Sequence, residues 1–295
     1  MQKTPPVCDY EGSDYRTRFW EGQGRSYEDQ AERVALRRLM PPTGGTLLDI
    51  GAGFGRLADE YSGYREIVLL DYSSSLLREA REQHGNDPRI RYVAANWYQM
   101  PFVDGLFDTL VQVRTLHHAA DVPALFGELA RIGRPGGSYV LEFANKRNLK
   151  AIGRWLLRRQ NWSPFDPAPI EFVPLNYDFH PAWIESALHH AGFLPRQQLT
   201  VSRFRIPLLK RIVPTRWLVA LDRMLQPTGA WWQLTPSVFV RNAHPRQGQG
   251  APAGHFFACP HCREPLIEEG ESATCPACNL RWNQEDGIWN FKEAV

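Results

Sequence analysis

The sequence predicts an α/β protein: a doubly wound, seven-stranded sheet followed by a small C-terminal zinc ribbon. Three observations predict it. Between residues 46 and 143, five short aliphatic and β-branched runs are interleaved with helix-length segments, the pattern of parallel strands buried on both faces. The first run opens into Gly51-Ala-Gly-Phe-Gly55, and glycines at the carboxyl end of a buried strand let the backbone turn tightly against a ligand. Near the end of the chain, Cys259, Cys262, Cys275 and Cys278 stand as C-x2-C-x12-C-x2-C, paired knuckles that orient four thiolates around zinc.

The elements follow in order. Residues 1–45 begin with an aromatic-rich segment (Tyr10, Tyr15, Phe19, Trp20), and a helix is expected over Tyr27–Met40, stopped by Pro41-Pro42. Strand Thr46–Ile50 leads through the glycines to a helix near Phe54–Ser62. Strand Ile67–Leu70 is followed by helix Ser73–His84, which opens on a capping serine. Strands Ile90–Ala94 and Phe107–Val113, helix Pro123–Arg131 and strand Ser138–Phe143 complete the first five strands. Beyond them come a helix over Asn145–Gln160, a proline-rich stretch and helix Pro181–Ala191. A sixth strand at Phe193–Val201, an insertion over 204–232 and a seventh strand at Ser237–Arg241 follow. Residues 46–242 then form one domain, 243–254 a linker rich in Pro, Gly and Gln, and 255–295 a separate module.

Composition narrows the function classes. The 295 residues are 43% hydrophobic and 22% charged, enough to build a core. With 34 Lys and Arg against 32 Asp and Glu, the chain is not a wholly basic nucleic-acid binder. The five cysteines, an odd number with four clustered, argue against a secreted disulfide framework. The N-terminal residues lack an apolar leader, and no run of roughly 18 apolar residues exists. The expected location is cytoplasmic.

The glycine turn discriminates between nucleotides. Asp71 ends the next strand, twenty residues after Gly51, where an acid can bind both hydroxyls of a ribose. A dinucleotide fingerprint needs glycine where Arg56 stands. Asp49, just before the turn, would repel a pyrophosphate but suits a ligand with a cationic end. S-adenosylmethionine carries an ammonium and a sulfonium and no phosphate.

On these residues the sequence resembles the class I S-adenosylmethionine-dependent methyltransferases, which have a Rossmann-like fold. Leu48-Asp-Ile-Gly-Ala-Gly-Phe-Gly55 matches their first motif and Asp71 their ribose-binding acid. Asn96-Trp97 falls near their adenine site, and Asp104-Gly-Leu-Phe-Asp108 and Arg134-Pro-Gly-Gly137 fall before the fourth and fifth strands. The resemblance implies that Asp49 and the Gly51, Gly53 and Gly55 backbone face the methionine moiety. It assigns Asp71 to the ribose, Asn96 to the adenine amine, and Tyr72 and Trp97 to packing on adenine. It also implies that the N-terminal helical segment closes over the cofactor as a lid.

Methyl transfer needs a base only when the acceptor must lose a proton. Arg114-Thr-Leu-His-His-Ala119 follows the fourth strand, so His117, with His118 as second choice, is the expected base. Arg114 reads as a salt-bridge partner or a substrate anchor, and His180, before Pro181, as a helix-start residue.

Residues 146–159 hold six basic side chains and no acid, and residues 203–223 hold six against Asp222 alone. Mixed with Leu, Ile and Trp, they read as basic amphipathic helices that contact a membrane surface or an anionic, apolar acceptor. A small-molecule or lipid-like acceptor is therefore expected. An RNA-modifying methyltransferase is the alternative, with nucleic acid less favoured as a partner, and a non-catalytic cofactor-binding module is a third reading. The ribbon's acids outnumber its basic residues, which suits a protein partner or docking on the basic helices. Its zinc is expected to be structural.

Overall fold

Leu47, Leu48 and Ile50 have no exposed surface. They anchor the strand around which the other layers are laid. The computed structural model describes residues 5–245 and 250–295. In chain order the elements are α1 (Tyr15–Phe19), α2 (Ser26–Leu39), β1 (Gly44–Ile50), β2 (Tyr64–Asp71), α3 (Ser74–His84), β3 (Ile90–Ala94) and β4 (Phe107–Gln112). Then come α4 (Val122–Ile132), β5 (Gly133–Ala144), α5 (Leu149–Leu156), β6 (Ile170–Val173), β7 (Asn176–Asp178), α6 (Pro181–His190), β8 (Leu194–Val201), α7 (Pro207–Ile212) and α8 (Thr215–Leu225). Last are β9 (Ser237–Ala243), β10 (Ile267–Glu269), β11 (Ser272–Thr274), β12 (Arg281–Glu285) and β13 (Ile288–Asn290).

Seven strands form the central sheet in the order β3-β2-β1-β4-β5-β9-β8. Strands β1 to β5 pair in parallel, and β9 runs antiparallel between β5 and β8. The strand order reverses at β1, with β2 on one side and β4 on the other. Ligands of doubly wound sheets bind in the crevice beyond the carboxyl ends at such a point. Ser73 and His180 act as the helix starts expected of them, and Asp121 is a third. The Ser73 hydroxyl accepts from the Leu76 N–H, and Asp121 caps α4 through the Ala124 N–H. His180 caps α6, its Nδ1 accepting from the Ala182 N–H.

Three expectations are corrected. The helix near Phe54–Ser62 shrinks to a 3-10 turn at Ala58–Tyr61, because Gly53 and Gly55 adopt φ of 55° and 75° and interrupt any earlier helical turn. The helix over Asn145–Gln160 starts at Leu149, since the Asn148 side chain caps it through the Ala151 N–H. The proline-rich stretch is not a plain loop but carries the β6–β7 hairpin.

The ribbon is continuous with the sheet rather than detached. β13 pairs in parallel with β3, in the register Ile288↔Tyr92, Trp289↔Val93 and Asn290↔Ala94. An edge strand offers a row of unpaired N–H and C=O groups, and here the ribbon takes them. The Phe257, Trp282, Trp289 and Phe291 rings join one core with Phe102 and Phe107. Arg263 pairs with Glu128 of α4 at 2.8 and 3.0 Å. The ribbon thus docks on the β3 edge, not on the basic helices. Of the linker, residues 246–249 lie outside the described residues, and Ala243 is the last residue of β9.

Phe257 has no exposed surface and stands 4.9 Å from the Phe291 ring and 5.0 Å from Trp289. Phe257→Ala is expected to lower stability by about 3–5 kcal/mol. Denaturant titration should show one shared transition for domain and ribbon, shifted to a lower midpoint; two separated transitions would contradict a common core.

Candidate cofactor site and four-thiolate centre

The carboxyl ends of β1, β2, β3 and β4 surround a cavity of about 830 Å³, its mouth included. Gly51 makes the turn possible twice over. Its φ of 72° is left-handed, and a Cβ there would lie 2.4 Å from the Thr115 methyl. The chain after β1 therefore passes close against the loop after β4.

Asp49 and Asp71 both line the cavity. Asp49 is 3% exposed; Tyr61 donates to its Oδ2 at 2.8 Å, and Oδ1 has no hydrogen bond among the described residues. Burial pushes its carboxyl up to about 7, against the Tyr61 hydrogen bond and the nearby Arg56 charge. A buried acid so poised is held ionised by a cation placed against it. Asp71 is likewise pushed up to about 6 by burial, while its oxygens accept from Ser73 N at 2.9 Å and Gly53 N at 2.8 Å. Each oxygen keeps a lone pair for a hydroxyl. Tyr72 and Trp97 are also in the wall, and the Trp97 indole N–H is buried without a partner. These are donors and acceptors suited to an amine, a ribose and a heterocycle.

Two predicted residues stand elsewhere. Asn96 is outside the lining, because its Oδ1 accepts from the Tyr98 N–H at 2.9 Å in a local turn. Of the two histidines, His118 faces the cavity and His117 does not. His117 is stacked behind it with ring centroids 3.9 Å apart. Burial, together with the neighbouring His118, holds His117 well below its ordinary value. His118 Nδ1 meets the Leu175 carbonyl at 2.9 Å, and Nε2 meets the Tyr10 hydroxyl at 3.2 Å. A carbonyl only accepts, so Nδ1 carries the proton and Nε2 presents its lone pair. Burial lowers the His118 pKa, keeping the ring neutral. Nothing in the proline-rich stretch announces the hairpin that supplies Leu175.

Sequence reasoning also missed Glu32. It lies on the buried face of α2 beside Ala31, Ala35 and Leu36, with no exposed surface. Two acids, Glu28 and Glu32, on the otherwise apolar buried face of α2 were the available signal. Arg114 Nε reaches it at 2.7 Å, Arg56 at 3.2 Å and Arg205 at 3.7 Å. Burial alone would raise its pKa, but the three guanidinium groups hold it below the usual carboxylate value. Trp20 lies against Arg56 and Arg114, at 4.0 and 5.1 Å from ring to guanidinium. With Tyr10 and Tyr15 it forms the outer wall of the cavity. Glu11 fastens this segment to the start of α3, accepting from Ser74 N at 2.7 Å and Ser75 N at 3.1 Å.

The four ribbon cysteines bring their sulfurs within 4.8 Å of one another. The Sγ separations 262–275, 259–278 and 262–278 are 3.4, 3.6 and 3.9 Å. A tetrahedron with Zn–S bonds of about 2.3 Å has edges of roughly 3.8 Å, so the thiolates fit that ion. Both knuckles close alike. Arg263 and Asn279, each after the second cysteine of its pair, adopt φ of 68° and 58° and donate to the first cysteine's carbonyl at 2.9 Å.

Comparison with known proteins meets this geometry. Residues 48–141 match the family described as a methyltransferase domain. Over that segment the chain carries a methyltransferase domain. Its matched segment is 34% identical over 125 residues to the ubiquinone/menaquinone biosynthesis C-methyltransferase UbiE of Hahella chejuensis, covering 40% of this chain and 50% of that one. It is 33% identical over 126 residues to 24-methylenesterol C-methyltransferase 2 of Oryza sativa, covering 40% and 34%. The chain thus spans half or less of the length of these two relatives. Among solved structures, one from a complex between the Haloferax volcanii Trm112 methyltransferase activator and a methyltransferase aligns with TM-score 0.54 and 18% identity, covering 80% of this chain and 98% of that one. An S-adenosylmethionine-dependent methyltransferase from Mesorhizobium loti aligns with TM-score 0.51 and 24% identity, covering 72% and 97%. At such identities the structural likeness concerns the methyltransferase fold.

Glu32→Gln removes the charge shared by three arginines. Leaving them without their common partner is expected to cost about 3–5 kcal/mol, read as a lowered denaturation midpoint. A change below about 0.5 kcal/mol would mean that the network is not structural.

Proposed function

We propose that this protein transfers a methyl group from S-adenosylmethionine to a small, lipid-like acceptor. The observation that carries the proposal is the pairing of Asp49, one of whose oxygens has no hydrogen bond among the described residues, and Asp71 on one cavity around the glycine turn. S-adenosylmethionine supplies a methyl group on a sulfonium whose departure leaves a neutral thioether. Asp49 meets the cationic end, Asp71 accepts from the ribose hydroxyls, and Tyr72 and Trp97 enclose the adenine. The segment bearing Tyr10, Tyr15 and Trp20 acts as the lid and excludes water. His118, rather than His117, takes the acceptor's proton on Nε2 if the acceptor carries one, with the acceptor displacing the Tyr10 hydroxyl from that nitrogen and Leu175 holding the ring in register. Positioning supplies much of the remaining acceleration. The names of the sterol and quinone relatives support an apolar acceptor. The four thiolates are read as a structural zinc site, with no open position for catalysis.

Calorimetry with S-adenosylmethionine tests the reading. The wild type should bind and Asp71→Ala should bind at least about tenfold more weakly, a loss near 1.4 kcal/mol. No heat from the wild type sinks the proposal. Transfer of labelled methyl to the lipid fraction of an extract, and not to its RNA, is expected.

The pH dependence follows from Asp49. Its carboxyl sits near 7 without a ligand, and a cationic ligand favours the ionised form. Binding should therefore release a proton near neutrality. Affinity should fall as pH drops below about 7, by at most about tenfold per unit. Asp49→Asn should bind weakly and lose this dependence; a wild type with pH-independent affinity from pH 6 to 8 would exclude the assigned role.

A further inference from the structure

Two basic segments lie beside the cavity-bearing sheet, and each leaves several large apolar side chains exposed. On α8 and the segment after it, Trp217, Trp231 and Trp232 are 58%, 77% and 72% exposed. Leu208, Ile212 and Met224 are exposed alongside them, as are Leu149, Leu156 and Leu157 on and beside α5. The two regions touch. The Leu149 N–H donates to the Leu234 carbonyl at 2.9 Å, and Asn145 Nδ2 donates to the Gln233 carbonyl at 2.8 Å, directly after the tryptophan pair.

The charge on this face has one sign. Lys150, Arg154, Arg158, Arg159, Arg211, Arg216 and Arg223 are exposed, and none has an ion-pair partner among the described residues. Asp222, the one acid within α7 and α8, is wholly buried and turned inward. It accepts from the Tyr27 hydroxyl at 3.1 Å and from the Arg203 N–H at 3.1 Å. The structure therefore removes the only counter-charge that the sequence showed there. A solvated face would not display three tryptophans, and a buried protein interface would not collect seven unpaired cations. Tryptophan and leucine among arginines match the boundary of an anionic bilayer, where the rings sit at headgroup depth and the guanidinium groups meet phosphates.

The face also leads to the reaction site. Trp155 of α5 packs edge-on against Phe165 at 5.6 Å. The following β6–β7 hairpin exposes Phe172 and Val173 while its Leu175 carbonyl holds His118. On the other side, Lys210 of α7 binds Glu28 of α2 at 2.9 Å, and Arg205 reaches Glu32 at the lid. No helix among the described residues is long and apolar enough to cross a membrane.

We infer that this face docks the protein on the surface of an anionic lipid bilayer, with α5, α7, α8 and Trp231-Trp232 at the headgroups, so that an apolar acceptor reaches the site from the membrane. The route for the acceptor rests on the function proposed above; the docking itself does not.

Co-sedimentation of the full chain with vesicles tests it, without cofactor or acceptor. Vesicles of phosphatidylcholine mixed with phosphatidylglycerol should pellet the protein, and pure phosphatidylcholine vesicles should pellet it at least about tenfold less. Trp217→Ser, Trp231→Ser and Trp232→Ser together should lower binding at least about tenfold, and brominated lipids should quench the wild-type tryptophans. Because these side chains are exposed and outside the cavity, cofactor binding should persist in the triple variant and report a folded chain. Three results would overturn the inference: no pelleting with anionic vesicles; pelleting that the tryptophan variant leaves unchanged and an RNA oligonucleotide competes away; or a wild-type dimer that these substitutions dissociate. Cofactor binding that survives any of these leaves the methyltransferase reading intact.

Discussion

One buried carboxylate ties four separate segments together. Glu32 comes from α2, yet its partners come from the turn after β1, the loop after β4 and the approach to α7. Three guanidinium groups around one acid leave a surplus of positive charge. Glu142 offsets part of it, accepting from the Arg114 N–H at 2.8 Å. Such a cluster is costly to desolvate, and it depends on Glu32, whose removal would leave three guanidinium groups without their shared partner. The α2 helix, the glycine turn and the basic insertion are therefore held in register by electrostatics, while the sheet beneath is held by packing. Trp20, resting on two of the same arginines, carries that registration to the cavity wall.

Much of the fold was legible because its signals are local. The five parallel strands appear as runs of Leu, Ile and Val, the helix starts as Ser73 and His180, and the turn after β1 as glycines whose positive φ few other residues adopt cheaply. Asp49, Asp71, Tyr72 and Trp97 lie on one cavity because strand periodicity and a short spacing from the turn place them there. What failed to show was set by tertiary partners. Asn96 and its backbone neighbour Tyr98 satisfy each other, which no motif announces. The choice between His117 and His118 depends on a carbonyl nearly sixty residues away in a hairpin that proline-rich sequence conceals. Glu32 shows only as an acid on an apolar helix face, and its three partners are far apart in sequence.

The charge pattern gained meaning in the same way. Counting residues assigned Asp222 to the basic insertion as a counter-ion, whereas its burial assigns it to the interior, bonded to Tyr27. The ribbon's acids, read from composition as a complement to the basic helices, instead accompany a module that sits at the opposite edge of the sheet. Its link to the site runs through Lys292, 3.6 Å from Glu11 and 5.4 Å from the Tyr72 ring. The C-terminal residues of the ribbon thus touch the wall of the cavity.

The β13–β3 pairing also bears on how the chain reaches this state. Trp289 lies beside Val93, a separation of about 200 residues, and contacts so distant in sequence form late because a long loop must close first. Until they form, β3 is an open edge next to a largely completed parallel sheet, the kind of surface on which partly made chains pair with one another. That edge stays open until β13, made about 200 residues later, reaches it. The pairing that seals the sheet against a neighbour's strand is therefore the one with the longest loop to close.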